Sequence, residues 1–263
     1  MFSLHKVFIF LVLIQVSLFP QDNTKLEEIV KNNTLKVCIW PQYYGISFID
    51  PRTQKLNGID SDLAVELAKY LNVNLKYVKS SFLSLSKDVT SNKCDIAMFA
   101  IANTKARKAK MRFTSAHLAS DIYAVTTKNN KKINNWNDID KKGIILAISK
   151  GTYHDPLVKN IMKNAKVIAF NGFKEREDEV QSGRADAFMT DYPYGKKVIE
   201  KTTWAKLIEP NKIHHITSYS WTMAYGNDKF YNKVEEFIKE IKKDGRLLKL
   251  AKKYRLEAIV KID

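Results

Sequence analysis

Strand-like and helix-like stretches alternate along this chain in two separate series. Such alternation builds a mainly parallel sheet with helices packed on its faces. The first series opens with the β-rich run at 34–40 (TLKVCIW). Gly58 then leads into Asp60-Ser61-Asp62, acids suited to a helix start. Leu63, Ala64, Leu67, Ala68 and Leu71 follow on one helical stripe. Residues 74–78 alternate as a strand, 83–89 read as a short helix and 95–101 (DIAMFAI) as a buried strand. The second series runs from a strand at 144–149 through Gly151-Thr152 to a helix at 155–163. A strand at 166–170, a helix at 175–182, a strand at 187–190 ending at Asp191, and a helix at 194–200 complete it. Near the C-terminus Phe230, Val234, Phe237, Ile238 and Ile241 share a helical face. Asp244-Gly245 breaks that helix, and Leu247, Leu248, Ala251 and Tyr254 begin another. A helical pair with no strand of its own is expected to dock on the first unit, so the chain crosses between units twice.

Two units fit within 263 residues, and 45% hydrophobic with 27% charged residues is a globular balance. The formal charge is +16, from 44 Lys and Arg against 28 Asp and Glu. Its lysines are scattered over 105–110, 128–132, 196–201 and 239–253, with no zinc-finger spacing or RNA-recognition motif. They read as solvated surface cations, which disfavours nucleic-acid binding. Residues 1–21 carry Lys6 followed by the apolar run at 7–14, the pattern of an export signal and too short to span a bilayer. The chain is therefore expected in a periplasm. Cys38 and Cys94 lack the neighbours for a metal cluster, so no metal is expected; both read as unpaired thiols in sheet interiors, with a bridge open if their strands bring the Cα atoms within about 7 Å.

Several short motifs then occur in order: Gly58-Ile59-Asp60-Ser61-Asp62-Leu63-Ala64, Asp95-Ile96-Ala97-Met98 with Asn103-Thr104-Lys105-Ala106-Arg107, and Met111-Arg112-Phe113-Thr114-Ser115. Trp136-Asn137-Asp138-Ile139 with Gly151-Thr152, Gly183-Arg184-Ala185-Asp186-Ala187 with Asp191, and Asp244-Gly245 before Lys252-Lys253-Tyr254 follow. Each is weak alone; together, in order, the sequence resembles the periplasmic amino-acid-binding proteins of ABC importers. The resemblance implies an α/β, two-lobed periplasmic-binding-protein fold, each lobe a mainly parallel sheet flanked by helices, with a ligand cleft between them. Lobe 1 would comprise 34–123 and 222–263, and lobe 2 residues 124–221. Such a protein captures an amino acid or a closely related small carboxylate and delivers it to an inner-membrane ABC permease. It is expected to work as a monomer, without cofactor and without catalysis.

Carried onto this chain, the resemblance gives Arg107 the ligand carboxylate, since a guanidinium fork meets a carboxylate bidentately. The amides of Ala102 and of Gly151–Thr152, and the Thr152 hydroxyl, would assist. Asp191, at the end of a strand, would take the α-ammonium. Ala100 and Ala102 stand where relatives often carry hydroxyl residues, leaving the pocket to backbone donors. Trp40, Tyr43 and Phe82 would form an aromatic wall, and Trp40 supplies no acid for a basic side chain. Without the resemblance, Arg107 reads as one more solvated cation, Asp191 as a helix cap, and Trp40 as core. Two other functions share this fold. A dehydratase of cyclic carboxylic acids would need an acid or base in the cleft, for which His154, Glu175 and Glu177 are the candidates. A sensory module would use the same binding chemistry and report to a membrane receptor.

Overall fold

The computed structural model describes residues 24–262; the leader expected at 1–21 lies outside the described residues. In the first sheet Thr34–Ile39 lies between Asn74–Lys79 and Ile96–Ala102, all parallel. Ile96–Ala102 is buried along its whole length, which is why its sequence is continuously apolar rather than alternating. Thr217–Met223 then pairs antiparallel with Ile96–Ala102, and Arg112–Phe113 and Leu118–Ser120 pair with it in turn.

The second sheet repeats the plan. Lys166–Phe170, Ile145–Ser149 and Ala187–Asp191 run parallel in that order; Ile122–Thr127 pairs antiparallel with Ala187–Asp191, and Ala205–Ile208 antiparallel with Ile122–Thr127. This is the expected α/β architecture, with mixed rather than wholly parallel sheets. A small antiparallel sheet of Gln42–Tyr43, Ser47–Ile49 and Leu56–Asn57 follows the first strand, where the sequence suggested no strands. Gly58 ends it at φ 130°, and a Cβ there would lie 2.2 Å from the Ile46 carbonyl oxygen. Only glycine makes that turn into the helix Ile59–Tyr70.

The C-terminal helices Asp228–Lys243 and Arg246–Tyr254 pack on Ile59–Tyr70, with Phe230, Val234, Phe237, Ile238 and Ile241 buried. The chain passes from the first sheet at Ser120 to the second at Ile122, and returns between Ile208 and Thr217. Sheet membership thus places the return ahead of residue 222, because Thr217–Met223 belongs to the first sheet. Asp121 ties the two crossings together. Its carboxylate accepts hydrogen bonds from the amides of Ile122 (2.8 Å), His214 (2.8 Å) and His215 (2.7 Å).

The expectation of two free thiols is overturned: Cys38 and Cys94 form a disulfide, with Cα atoms 5.5 Å apart. Parallel pairing places Cys38 opposite Ala97, and Cys94 enters the same strand edge just upstream. Adjacent strands therefore bring both residues within bridging range.

Candidate functional site

Ile96–Ala102 aims the first half of the site. Within it Ala100 adopts a left-handed backbone, φ 48°, and donates its amide to Asp60 Oδ2 at 2.6 Å. Asp60 is fully buried; its Oδ1 also accepts from Trp221 Nε1 (2.9 Å) and lies 2.8 Å from His117 Nε2. Beyond the strand, Thr104 caps a single helical turn by accepting the Arg107 amide at 3.4 Å. The Arg107 guanidinium turns back rather than outward. It donates to the Ala102 carbonyl (3.0 Å) and, across the cleft, to the Gly151 carbonyl (2.8 Å), and lies 5.5 Å from the Phe82 ring centroid. Although the residue as a whole is half-buried, desolvation of its head lowers the pKa to about 10, so it remains a cation at neutral pH.

The second half hangs from strand ends, where ligands of open α/β sheets bind. After Ile145–Ser149 the chain turns at Gly151, φ 76°, and a Cβ there would lie 2.9 Å from the Leu83 nitrogen and the Phe82 carbonyl carbon. Backbone meets backbone at that point of the cleft. The Thr152 hydroxyl donates to the Ser149 carbonyl at 2.7 Å, within its own loop. Asp191 ends Ala187–Asp191. Its Oδ1 accepts the Tyr194 amide (3.2 Å) and caps the helix Tyr192–Lys201, while Oδ2 accepts the hydroxyls of Tyr219 (2.8 Å) and Tyr43. One carboxylate thus serves as helix cap and cleft acid together. Burial pushes its carboxyl above the ordinary value, opposed by the two hydroxyls and the Tyr194 amide. Burial, with Asp191 alongside, pushes the Tyr43 and Tyr219 hydroxyls well above theirs, so both stay protonated donors.

These groups enclose one small cavity of about 10 Å³. Tyr43, Phe82, Ala100, Ala102, Arg107, Thr152 and Asp191 all line it; Gly151 does not, and its carbonyl is held by the Arg107 guanidinium. Trp40 does not line it. Its buried ring stands behind, 4.9 Å from Phe82 and 4.4 Å from Phe173. Tyr153, His154, Phe173, Thr190 and Tyr219 line the cavity as well. The sequence reading weighed His154 as a possible base against a binding or structural residue near the cleft, and passed over the other four. Position alone offered a signal for Tyr153, which directly follows Gly151-Thr152; Tyr219 sits on a strand the sequence did not reveal. His154 is buried, and burial with the charges of Arg176 and Arg107 pushes its pKa well below the ordinary value, leaving a neutral imidazole. Glu177 accepts the Tyr194 hydroxyl away from the cavity lining, and Glu175 accepts the Asn171 amide at the surface.

The sequence model of the bacterial extracellular solute-binding proteins, family 3, matches residues 35–257. A probable histidine-binding protein of Campylobacter jejuni is 28% identical over 246 residues, covering 90% of this chain and 92% of the relative. An L-cystine-binding protein of Bacillus subtilis is 27% identical over 245 residues, covering 92% and 88%. Among solved structures, an ancestral amino acid-binding protein described as a precursor of cyclohexadienyl dehydratase superposes with a TM-score of 0.79 at 29% identity, over 88% of this chain and 99% of its own.

Proposed function

This chain belongs to family 3 of the bacterial extracellular solute-binding proteins, and from that premise we propose that it captures an amino acid, or a closely related small carboxylate, for an ABC permease. One observation carries this reading: Arg107 from one lobe and Asp191 from the other face a single cavity with opposite charge. An α-amino acid presents the matching pair. Its carboxylate would take the Arg107 fork in place of the Ala102 and Gly151 carbonyls, and its ammonium would take Asp191 beside the Tyr43 and Tyr219 hydroxyls. A space of about 10 Å³ holds at most one water, so the lobes must part for the ligand to enter and close over it. The two crossings joined through Asp121 are where that rotation would occur. Tyr43, Phe82 and Phe173 would cover the ligand's apolar surface.

Capture outside the cytoplasm, in a periplasm, agrees with the Cys38–Cys94 disulfide, because such bonds persist in oxidising compartments. Delivery to the permease would follow from the closed form being the one the permease accepts. Binding without turnover is the simpler role for this site. His154, the one of the three candidate bases that lines the cavity, has no hydrogen-bond partner at Nε2 among the described residues. Titration calorimetry with the twenty amino acids tests the reading. A ligand should appear, and Arg107→Ala should weaken it at least a hundredfold while leaving the melting temperature within a few degrees. Unchanged affinity in that variant removes Arg107 from the site. Formation of product from cyclohexadienyl acids would instead make the protein an enzyme.

A further inference from the structure

Among the described residues, Arg107 and Asp191 are the charged side chains that line the cavity. The backbone groups of an amino acid engage both. No carboxylate is then left for a cationic side chain, and no cation for an anionic one. A second guanidinium, Arg176, lies fully buried behind the wall. It donates to the Met189 carbonyl (2.9 Å) and the Thr190 hydroxyl (3.3 Å), with the rings of Phe173 and Tyr194 at 4.1 and 4.7 Å. Its charge adds to that of Arg107 and further opposes a second cation at this site.

Among the described residues, two polar atoms of the lining make no hydrogen bond of ordinary geometry: His154 Nε2, and the Tyr153 hydroxyl, whose nearest polar neighbours are the hydroxyls of Thr217 and Tyr219. Both residues are more than nine-tenths buried, at 8% and 5% exposure, and their rings lie against each other with centroids 4.0 Å apart. Buried polar atoms are ordinarily paired, and unpaired ones at a binding site discriminate against ligands that cannot complete them. The other imidazole nitrogen donates to the Thr190 backbone, so Nε2 of the neutral ring accepts, while a phenol can donate or accept; together they suit a group that does both. Resting on the amino-acid reading above, we propose that the ligand's side chain is uncharged and carries a hydrogen-bonding group such as a carboxamide, read by the Tyr153 hydroxyl and His154 Nε2.

Calorimetric titration of the purified protein with pairs of similar size tests this: asparagine against leucine, and glutamine against methionine, with lysine and glutamate alongside. In at least one pair the amide should bind at least tenfold more tightly, and lysine and glutamate at least tenfold more weakly than that amide. Tyr153→Phe, which removes a single oxygen, and His154→Phe should each narrow the preference within that pair severalfold. Leucine and methionine binding as well as the amides, or lysine or glutamate binding as tightly, overturns the proposal and leaves the amino-acid reading standing. An undiminished preference in both variants overturns the assignment to these two atoms. Silence towards every one of the twenty amino acids overturns this proposal and leaves a related small carboxylate as the ligand of the reading above.

Discussion

Ala100 holds a left-handed backbone inside a strand, a conformation that costs a residue with a Cβ roughly 1–2 kcal/mol. Asp60 offsets this by accepting the Ala100 amide from a fully buried position, where its other oxygen takes Trp221. The acid that looks in sequence like a helix-start residue thus shapes the cavity wall two residues before Ala102. Asp60→Ala would leave these buried donors unpaired, at about 1–3 kcal/mol each. Its expected result is a loss on the order of 3 kcal/mol in urea denaturation, together with weaker ligand binding; stability within 1 kcal/mol of the parent would deny Asp60 that role.

Asp191 makes a pH prediction. Its carboxyl titrates above the ordinary value of 3.8 in the folded chain, chiefly through burial. Only the ionised form can pair with an ammonium, so affinity should fall as pH drops through this raised pKa. The same shift acts on folding in the other sense: its stabilising contribution is fully present below the unfolded value and is lost as pH rises through the folded one. Affinity measured from pH 7.5 to 4.5, with circular dichroism to monitor the fold, should therefore decline while the protein remains folded. A flat profile would remove Asp191 from ligand contact. Arg107 and Asp191 were legible in the sequence because their motifs occur in order. Tyr219, Phe173 and Thr190 were not, since nothing in a local window tells a wall residue from a core residue.

Parallel strands and their helices were readable to within a residue or two; Lys166–Phe170 matches its expected span. Ile122–Thr127 and Thr217–Met223 escaped notice for a physical reason. The latter is TSYSWTM, and its Ser220 and Thr222 are fully buried, so polar residues interrupt the apolar pattern. Their hydroxyls find partners far away in sequence, Asn103 for Ser220 (3.1 Å) and the Arg112 carbonyl for Thr222 (2.8 Å). The Cys38–Cys94 bond likewise depended on a strand register that no local window reveals. It closes a loop between residues 56 positions apart, which in the chain-entropy account stabilises the fold by about 4 kcal/mol. The Cys38→Ala, Cys94→Ala double variant should therefore unfold at lower urea concentration, by about 2–4 kcal/mol. An unshifted midpoint would show that the strands hold their register unaided.

At the scale of the whole molecule, the two sheets share one plan, three parallel strands and then antiparallel partners, and the site lies where their strand ends face each other. The double alternation made that architecture foreseeable, whereas the position of the return crossing was not, because it hinges on the polar strand Thr217–Met223. The second sheet also has buried residues of its own, among them Ile122, Leu146, Ile148, Met189 and Ile208. Residues 122–208 made alone should fold, showing a cooperative thermal transition; a chain without one would mean that this half leans on its neighbour. Ser120 stands directly opposite Thr217 in the first sheet. The cut ends left by excising everything between them are already ladder neighbours, so a tight turn of a few residues could splice them into a hairpin. Evolution, or an engineer, can therefore treat half of this receptor as a cassette, exchanging one jaw while the other keeps its shape.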